Sequence, residues 1–275
     1  MNPKPTAPDY LGPILARKRM EVARRIAHAG LASTCRARPP FPDRAEAAVA
    51  RLRRAGSSLP RVIAEIKLRS PSAGMIRARA PGGLTAVAHQ YETAGAAAVS
   101  VLCDGAGFGG SPLDLRRIRS AVGVPLLFKE FVLDPIQIGL ARTIGADMVL
   151  LLVRALDERS LCRLCDEVLA HGMAPVVEAA DEEELAIALR TSATIIGVNA
   201  RDLRTFRVDP ERAKRAIERI PLDRVAVHMS GITSGEALAE LGGSRADAVL
   251  VGEALMRAPT PGERLEQWLD AARRR

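Results

Sequence analysis

Aromatic residues are scarce in this sequence, 3% of 275 residues with a single tryptophan, which leaves the core to aliphatic side chains. With alanine abundant and 48% of residues hydrophobic, the expectation is a sizeable, helix-rich core. Cysteine is scarce too. Cys35, Cys103, Cys162 and Cys165 are too few and too scattered to staple so long a chain, which points to a reducing, cytoplasmic setting. Cys162 and Cys165 form a C-x-x-C, but it lies within LDERSLCRLCDEVLAHG, a helical pattern lacking the strand-to-helix context of a redox motif; they read as half-buried helix thiols. With no second C-x-x-C and no clustered histidines, a zinc site has no support and no metal is expected.

No run of about 18 apolar residues occurs, and Pro3, Pro5 and Pro8 stand where a signal peptide would need an apolar core. Neither a membrane span nor secretion is expected. The formal charge of +8 invites a nucleic-acid reading, but the arginines are spread over many segments, with no aromatic-rich RNA-binding motif and no helix-turn-helix. A modest basic excess suits a small anionic substrate by concentrating it near a positive cleft. Oligomeric state is not readable from these features.

Residues 1–60 read as a helical extension packing on the edge of the main domain. Leu11, Ile14, Leu15, Val22 and Ile26 give helical spacing from Leu11 to Ala29, and Ala45 to Ala55 forms a second short helix after the break at Pro39, Pro40, Phe41 and Pro42. Arg36 and Arg38 fit either a packed turn or a loose linker. From residue 61 one alternation takes over. Short apolar strands at about 62–66, 98–102, 125–128, 147–152, 174–177, 195–198, 224–227 and 248–251 are each followed by an amphipathic helical segment. Eight such units over residues 61–275 match a closed (β/α)8 TIM barrel better than an open doubly wound sheet. The glycines at 105, 107, 109 and 110 follow the second strand, but their spacing is wrong for a dinucleotide fingerprint, so no nucleotide cofactor is expected.

The first strand carries an anomaly. Val62, Ile63, Ala64 and Ile66 suit a strand buried on both faces, yet Glu65 and Lys67 stand two residues apart on one face. Burying either charge alone is costly, so the pair is a strand-end salt bridge or is held for a polar ligand. Ser70, Pro71, Ser72 and Gly74 then supply hydroxyls and a flexible backbone, the materials of an anion-binding loop. Barrel enzymes place chemistry at the carboxyl ends of their strands. Those ends carry Glu65 and Lys67, then Lys129, Glu178, Asn199 with Arg201, and His228-Met229-Ser230-Gly231, and finally Gly252-Glu253. Glycine before a helix start, in the loops after the last two strands, is a common phosphate cradle. The set implies cofactor-free proton transfers on a phosphorylated sugar or related anion, with lysines serving as acids if repulsion and burial lower a lysine's pKa.

In this order the motifs resemble those of the indole-3-glycerol phosphate synthase family over nearly the whole chain. IAEIKLRSPSAGMIR, YETAGAAAVSVLCD with FGGS, FKEFVLDPIQI, GADMVLLLVRAL, VVEAADEEEL, IIGVNARDLRTFRVD and ADAVLVGEALMRA carry the match, and LGPILARKRMEVARR resembles the family's amino-terminal extension. The resemblance implies that 1-(2-carboxyphenylamino)-1-deoxyribulose 5-phosphate closes its ring and loses carbon dioxide and water. By the same resemblance Lys129 is the general acid at ring closure, and Lys67 lies between the phosphate and the reacting carbons. Glu178 and Glu65 share the proton transfers of dehydration. Asn199, Arg201, Ser230, Phe108 and Met229 would contact the substrate, and Ser70, Gly231, Gly252 and the backbone of Glu253 its phosphate.

Three positions depart from the family pattern. Met229 stands where the family has glutamate before Ser-Gly-Ile, Glu130 replaces the aspartate of Lys-Asp-Phe, and Cys103 replaces a threonine. A lost charge-assisted hydrogen bond of about 1.5–3 kcal/mol would slow the usual reaction by roughly ten- to a hundredfold. Alternatively, the thioether makes room for a modified anthranilate-derived substrate. A non-catalytic ligand-binding barrel is the third reading, against which the retained charges argue. His228 reads as a packed strand residue or as a new base.

Overall fold

A computed structural model of the chain describes residues 10–29, 43–56, 59–202 and 207–274. Pro3, Pro5, Pro8, Cys35, Arg36, Arg38 and the proline break at residues 39–42 lie outside the described residues. Eight parallel strands close into a barrel: β1 (Arg61–Ile66), β2 (Ala98–Leu102), β3 (Leu126–Lys129), β4 (Met148–Leu152), β5 (Ala174–Ala179), β6 (Ile195–Asn199), β7 (Val225–Met229) and β8 (Ala248–Val251). Closure is made by β1, which pairs Ile63 with Leu250 of β8 on one side and with Ala98 of β2 on the other.

The strands read as unbroken apolar runs because both of their faces are covered. Alternate residues face the barrel axis or the surrounding helices. Ile63, Leu127, Met148, Val176, Ile195, Val227 and Leu250 belong to the inner cluster, while Val62, Phe128, Val149, Val177, Ile196 and Val249 pack outward. That alternation turns Glu65, Lys67, Ser100, Lys129, Glu178, Gly197, Asn199 and Met229 inward. Several crossover helices open on a side-chain cap that ends the preceding loop. Ser111, Asp134, Asp157, Asp181, Asp209 and Ser234 each accept a backbone N–H in the first turn, and proline follows at the helix start after Ser111, Asp134 and Asp209.

Helix α1 (Leu11–Ala29) lies by the carboxyl ends of β2 and β3, where Leu11, Ile14 and Leu15 join the cluster that includes Phe131. Its buried stripe stops at Val22. Ile26, expected on the same face, is 46% exposed, as residues 23–28 all are exposed. Helix α2 (Asp43–Leu52) sits at the other end of the barrel with Ala48 and Leu52 fully buried, and its Arg51 Nε donates to Ala97 O at 3.0 Å, just before β2. After β1 the turn is a small antiparallel hairpin pairing Arg69 with Met75 and Ser70 with Gly74. No described helix is long and apolar enough to cross a membrane. Cys162 is half-buried and Cys165 buried on the helix Glu158–Ala170, and both are free thiols.

Candidate active site

The inward charges at the strand ends form one connected network. Lys67 Nζ lies 3.2 Å from Glu65 Oε1, Lys129 Nζ lies 3.8 Å from Glu65 Oε2 and 3.4 Å from Glu178 Oε2, and Asn199 Nδ2 donates to Glu178 Oε1 at 2.8 Å. Beneath them Ser100 Oγ donates to Glu65 Oε2 at 3.3 Å. Two ammonium groups and two carboxylates thus compensate each other in a buried setting, with Glu65 and Glu178 each 4% exposed.

Burial pushes the Glu65 carboxyl up, but Lys67 and then Lys129 pull harder and hold it below its ordinary 4.5. Burial also pulls the Lys129 ammonium down, yet Glu178 and Glu65 outweigh it and hold the group above 10.5. This corrects the expectation that repulsion and burial lower a lysine's pKa here. The carboxylates flank Lys129 within ion-pair distance and favour its charged form.

One cleft at this end is lined by Glu65, Lys67, Ser70, Phe108, Lys129, Glu178, Asn199, Arg201, Ser230 and Glu253 together. Leu102, Leu150, Leu152, Leu250 and Phe131 supply apolar wall that the strand-end reading passed over. Met229, Gly231 and Gly252 lie outside that lining. Met229 is fully buried below the floor, with its Sδ 4.0 Å from Lys129 Nζ, and it fills the space over Gly197, where an added Cβ would meet Met229 Cε at 2.3 Å. Gly252 backs directly onto Glu65, whose Oε1 would stand 2.8 Å from an added Cβ. His228 alternates with Met229 and so faces the helix layer. Burial pulls its imidazole down to about 4, which keeps it neutral, and it does not face the cleft.

The rim is shaped by the loops. Ser70 Oγ accepts from Ala73 N at 3.1 Å and sits 3.4 Å from Ser72 Oγ, which fixes the hairpin over the cleft edge. Arg69 donates to Ala106 O and so ties that hairpin to the turn carrying Phe108. Ser230 and Gly231 take consecutive left-handed conformations, φ 67° and 85°, which costs about 1–3 kcal/mol at the serine and reverses the chain at the end of β7. Asn199 Oδ1 accepts from Arg201 N at 2.9 Å, setting the first turn after β6.

Ser100 carried a readable signal, as the one polar residue within AVSVL and at inward parity. Lys18 carried another: it interrupts the apolar stripe of α1 and is 4% exposed.

A family model described as indole-3-glycerol phosphate synthase matches residues 11–267. A protein of that name from Opitutus terrae is 42% identical over 264 residues, covering 92% of this chain and 96% of the relative. One from Parafrankia sp. is 48% identical over 200 residues, covering 73% of this chain and 74% of the relative. The solved structure of KGPDC from Streptococcus mutans superposes with a TM-score of 0.57 at 14% identity, covering 79% of this chain and 99% of that one; the likeness is one of fold.

Proposed function

The chain belongs to the indole-3-glycerol phosphate synthase family, and we propose that it converts 1-(2-carboxyphenylamino)-1-deoxyribulose 5-phosphate to indole-3-glycerol phosphate through the network around Lys129. The observation that carries this reading is the Lys129 ammonium held between Glu65 and Glu178 at the head of a cleft lined by both charged and apolar side chains.

The aryl carbon bearing the carboxylate attacks the ketone carbon of the sugar chain, and the ketone oxygen becomes a hydroxyl. A charged Lys129 is the general acid that supplies that proton, stabilised beforehand by its two carboxylates. Carbon dioxide then leaves and the ring carbon keeps the electron pair. In the last step the new hydroxyl departs as water after accepting a proton, while a carboxylate removes the proton whose loss restores the indole. Glu178 and Glu65, both hydrogen-bonded to groups that fix their direction, serve that exchange. Lys67 bridges the reacting carbons and the phosphate. Asn199, Arg201 and Ser230 hold the sugar hydroxyls, and Phe108 and Phe131 flank the aromatic ring. Ser70 and the backbone of Glu253 receive the phosphate, with Gly231 and Gly252 shaping the loops that carry Ser230 and Glu253.

Met229 bears on the partners of Lys129 rather than on the width of the cleft, since it lies below the floor. The setting we infer is a cytoplasmic biosynthetic enzyme whose partner is this small phosphorylated substrate and not a nucleic acid. Supplying purified protein with the substrate and following the indole chromophore tests the reading; tight binding without turnover would sink it.

A further inference from the structure

Lys18 stands at a position on α1 that Leu11, Ile14, Leu15 and Val22 mark for an apolar residue. Its Nζ lies 2.6 Å from Glu21 Oε2, 3.0 Å from Asp104 Oδ1 and 3.1 Å from Glu130 Oε1. Glu21 is a neighbour on the same helix. Asp104 and Glu130 belong to the ends of β2 and β3 and are buried, and Arg17 Nη2 reaches Asp104 Oδ1 at 2.7 Å.

Both buried carboxylates hold backbone beside the cleft. Asp104 Oδ2 accepts from Gly107 N at 2.6 Å and caps the turn Gly105–Phe108. Glu130 Oε1 accepts from Phe131 N at 2.8 Å, next to Lys129. Phe108 and Phe131, carried by these two segments, line the cleft with ring centroids 6.1 Å apart. Lys18 itself does not line it.

The geometry points to Lys18 as a positioning residue: by bridging Asp104 and Glu130 it fixes the spacing of the Phe108–Phe131 wall and so sets affinity for the aromatic end of the substrate. This rests on the functional reading above. Among the described residues, the groups that face the bridge are Arg17, Glu21 and Arg25 from α1, Cys103 and Asp104 from the end of β2, and Glu130 from the end of β3. The Cys103 thiol, pushed up by burial, stays neutral. Burial also raises the Glu130 carboxyl even with Lys18 beside it. Without that ammonium Glu130 loses its cation and faces Asp104, which keeps Arg17 alone. At high pH the two carboxylates repel and the wall spreads; at low pH Glu130 takes a proton and the repulsion ends.

The test compares KM for the carboxyphenylamino substrate in the full-length wild type, Lys18→Met, Lys18→Arg and Lys18→Met/Glu130→Gln at pH 6 and pH 8. Each variant is expressed as a ratio to wild type at the same pH. We expect Lys18→Met to raise KM by about ten- to a hundredfold at pH 8 and clearly less at pH 6, with a smaller change in kcat. Lys18→Arg restores most of the affinity. The double variant keeps a raised KM that no longer varies with pH, and it carries the test if Lys18→Met does not fold. A KM within twofold of wild type in the folded Lys18 variants, or a rise in Lys18→Met equal at both pH values, overturns the inference. A wild type without turnover tells against the function instead; dissociation constants for indole-3-glycerol phosphate, by titration calorimetry on the same proteins, then take the place of KM.

Discussion

Lys129 Nζ and Met229 Sδ face each other at 4.0 Å, one at the end of β3 and the other at the end of β7. The ammonium therefore has carboxylates on two sides and a thioether, a weak acceptor, on a third. The sulfur side of the contact is sealed from water, since Met229 is fully buried over Gly197.

Replacing that thioether by a carboxylate offers Lys129 a charge-assisted partner of about 1.5–3 kcal/mol. Met229→Glu is expected to raise kcat by roughly tenfold and to lower the melting temperature, because a further charge is buried in a network already balanced between two cations and two anions. Steady-state kinetics and thermal melts check both. An unchanged or lower kcat would show that the methionine does not limit the reaction.

Gly252 admits no side chain without moving Glu65. Gly252→Ala should cost about 1–3 kcal/mol for overpacking, with the flexible Glu65 side chain giving way. Pushing Glu65 away from Lys67 and Lys129 should lower kcat by about tenfold or more. Wild-type kcat with the alanine in place would mean that the position of Glu65 is not critical.

The network also predicts how stability follows pH. Glu65 is held below 4.5 in the fold, so its contribution is present above that value and is lost as pH falls through the folded one. Lys129 is held above 10.5, so its contribution is present below that value and is lost as pH rises through the folded one. Thermal melts against pH should show a plateau between these limits. Glu65→Gln should flatten the acid limb and Lys129→Met the alkaline limb; limbs unchanged in both variants would remove these residues from the balance.

The barrel was legible because each strand is an apolar run of ordinary length followed by helical sequence, several of the helices with a readable cap, as at Asp134-Pro135 and Asp209-Pro210. The hairpin at Arg69–Ser70 and Gly74–Met75 was not, since strands of two residues have no periodicity. Glu65, Lys67, Lys129, Glu178 and Asn199 stood out as costly polar groups at the ends of buried strands, and all five line one cleft. Their pairing was hidden. β3 and β5 are not neighbours in the sheet, so the approach of Lys129 to Glu178 depends on closure of the barrel, and with it the protonated state of the lysine. The burial of Met229 beneath the floor depends on the lack of a side chain at Gly197, a relation between β6 and β7 that no local pattern reveals.

Single-turnover formation of indole-3-glycerol phosphate by the wild type beside Lys129→Ala tests the central claim most directly. The wild type should form the indole product from the carboxyphenylamino deoxyribulose phosphate, and the variant should bind the substrate but form product at least about a hundredfold more slowly. A near-normal rate in Lys129→Ala would contradict the role given to Lys129.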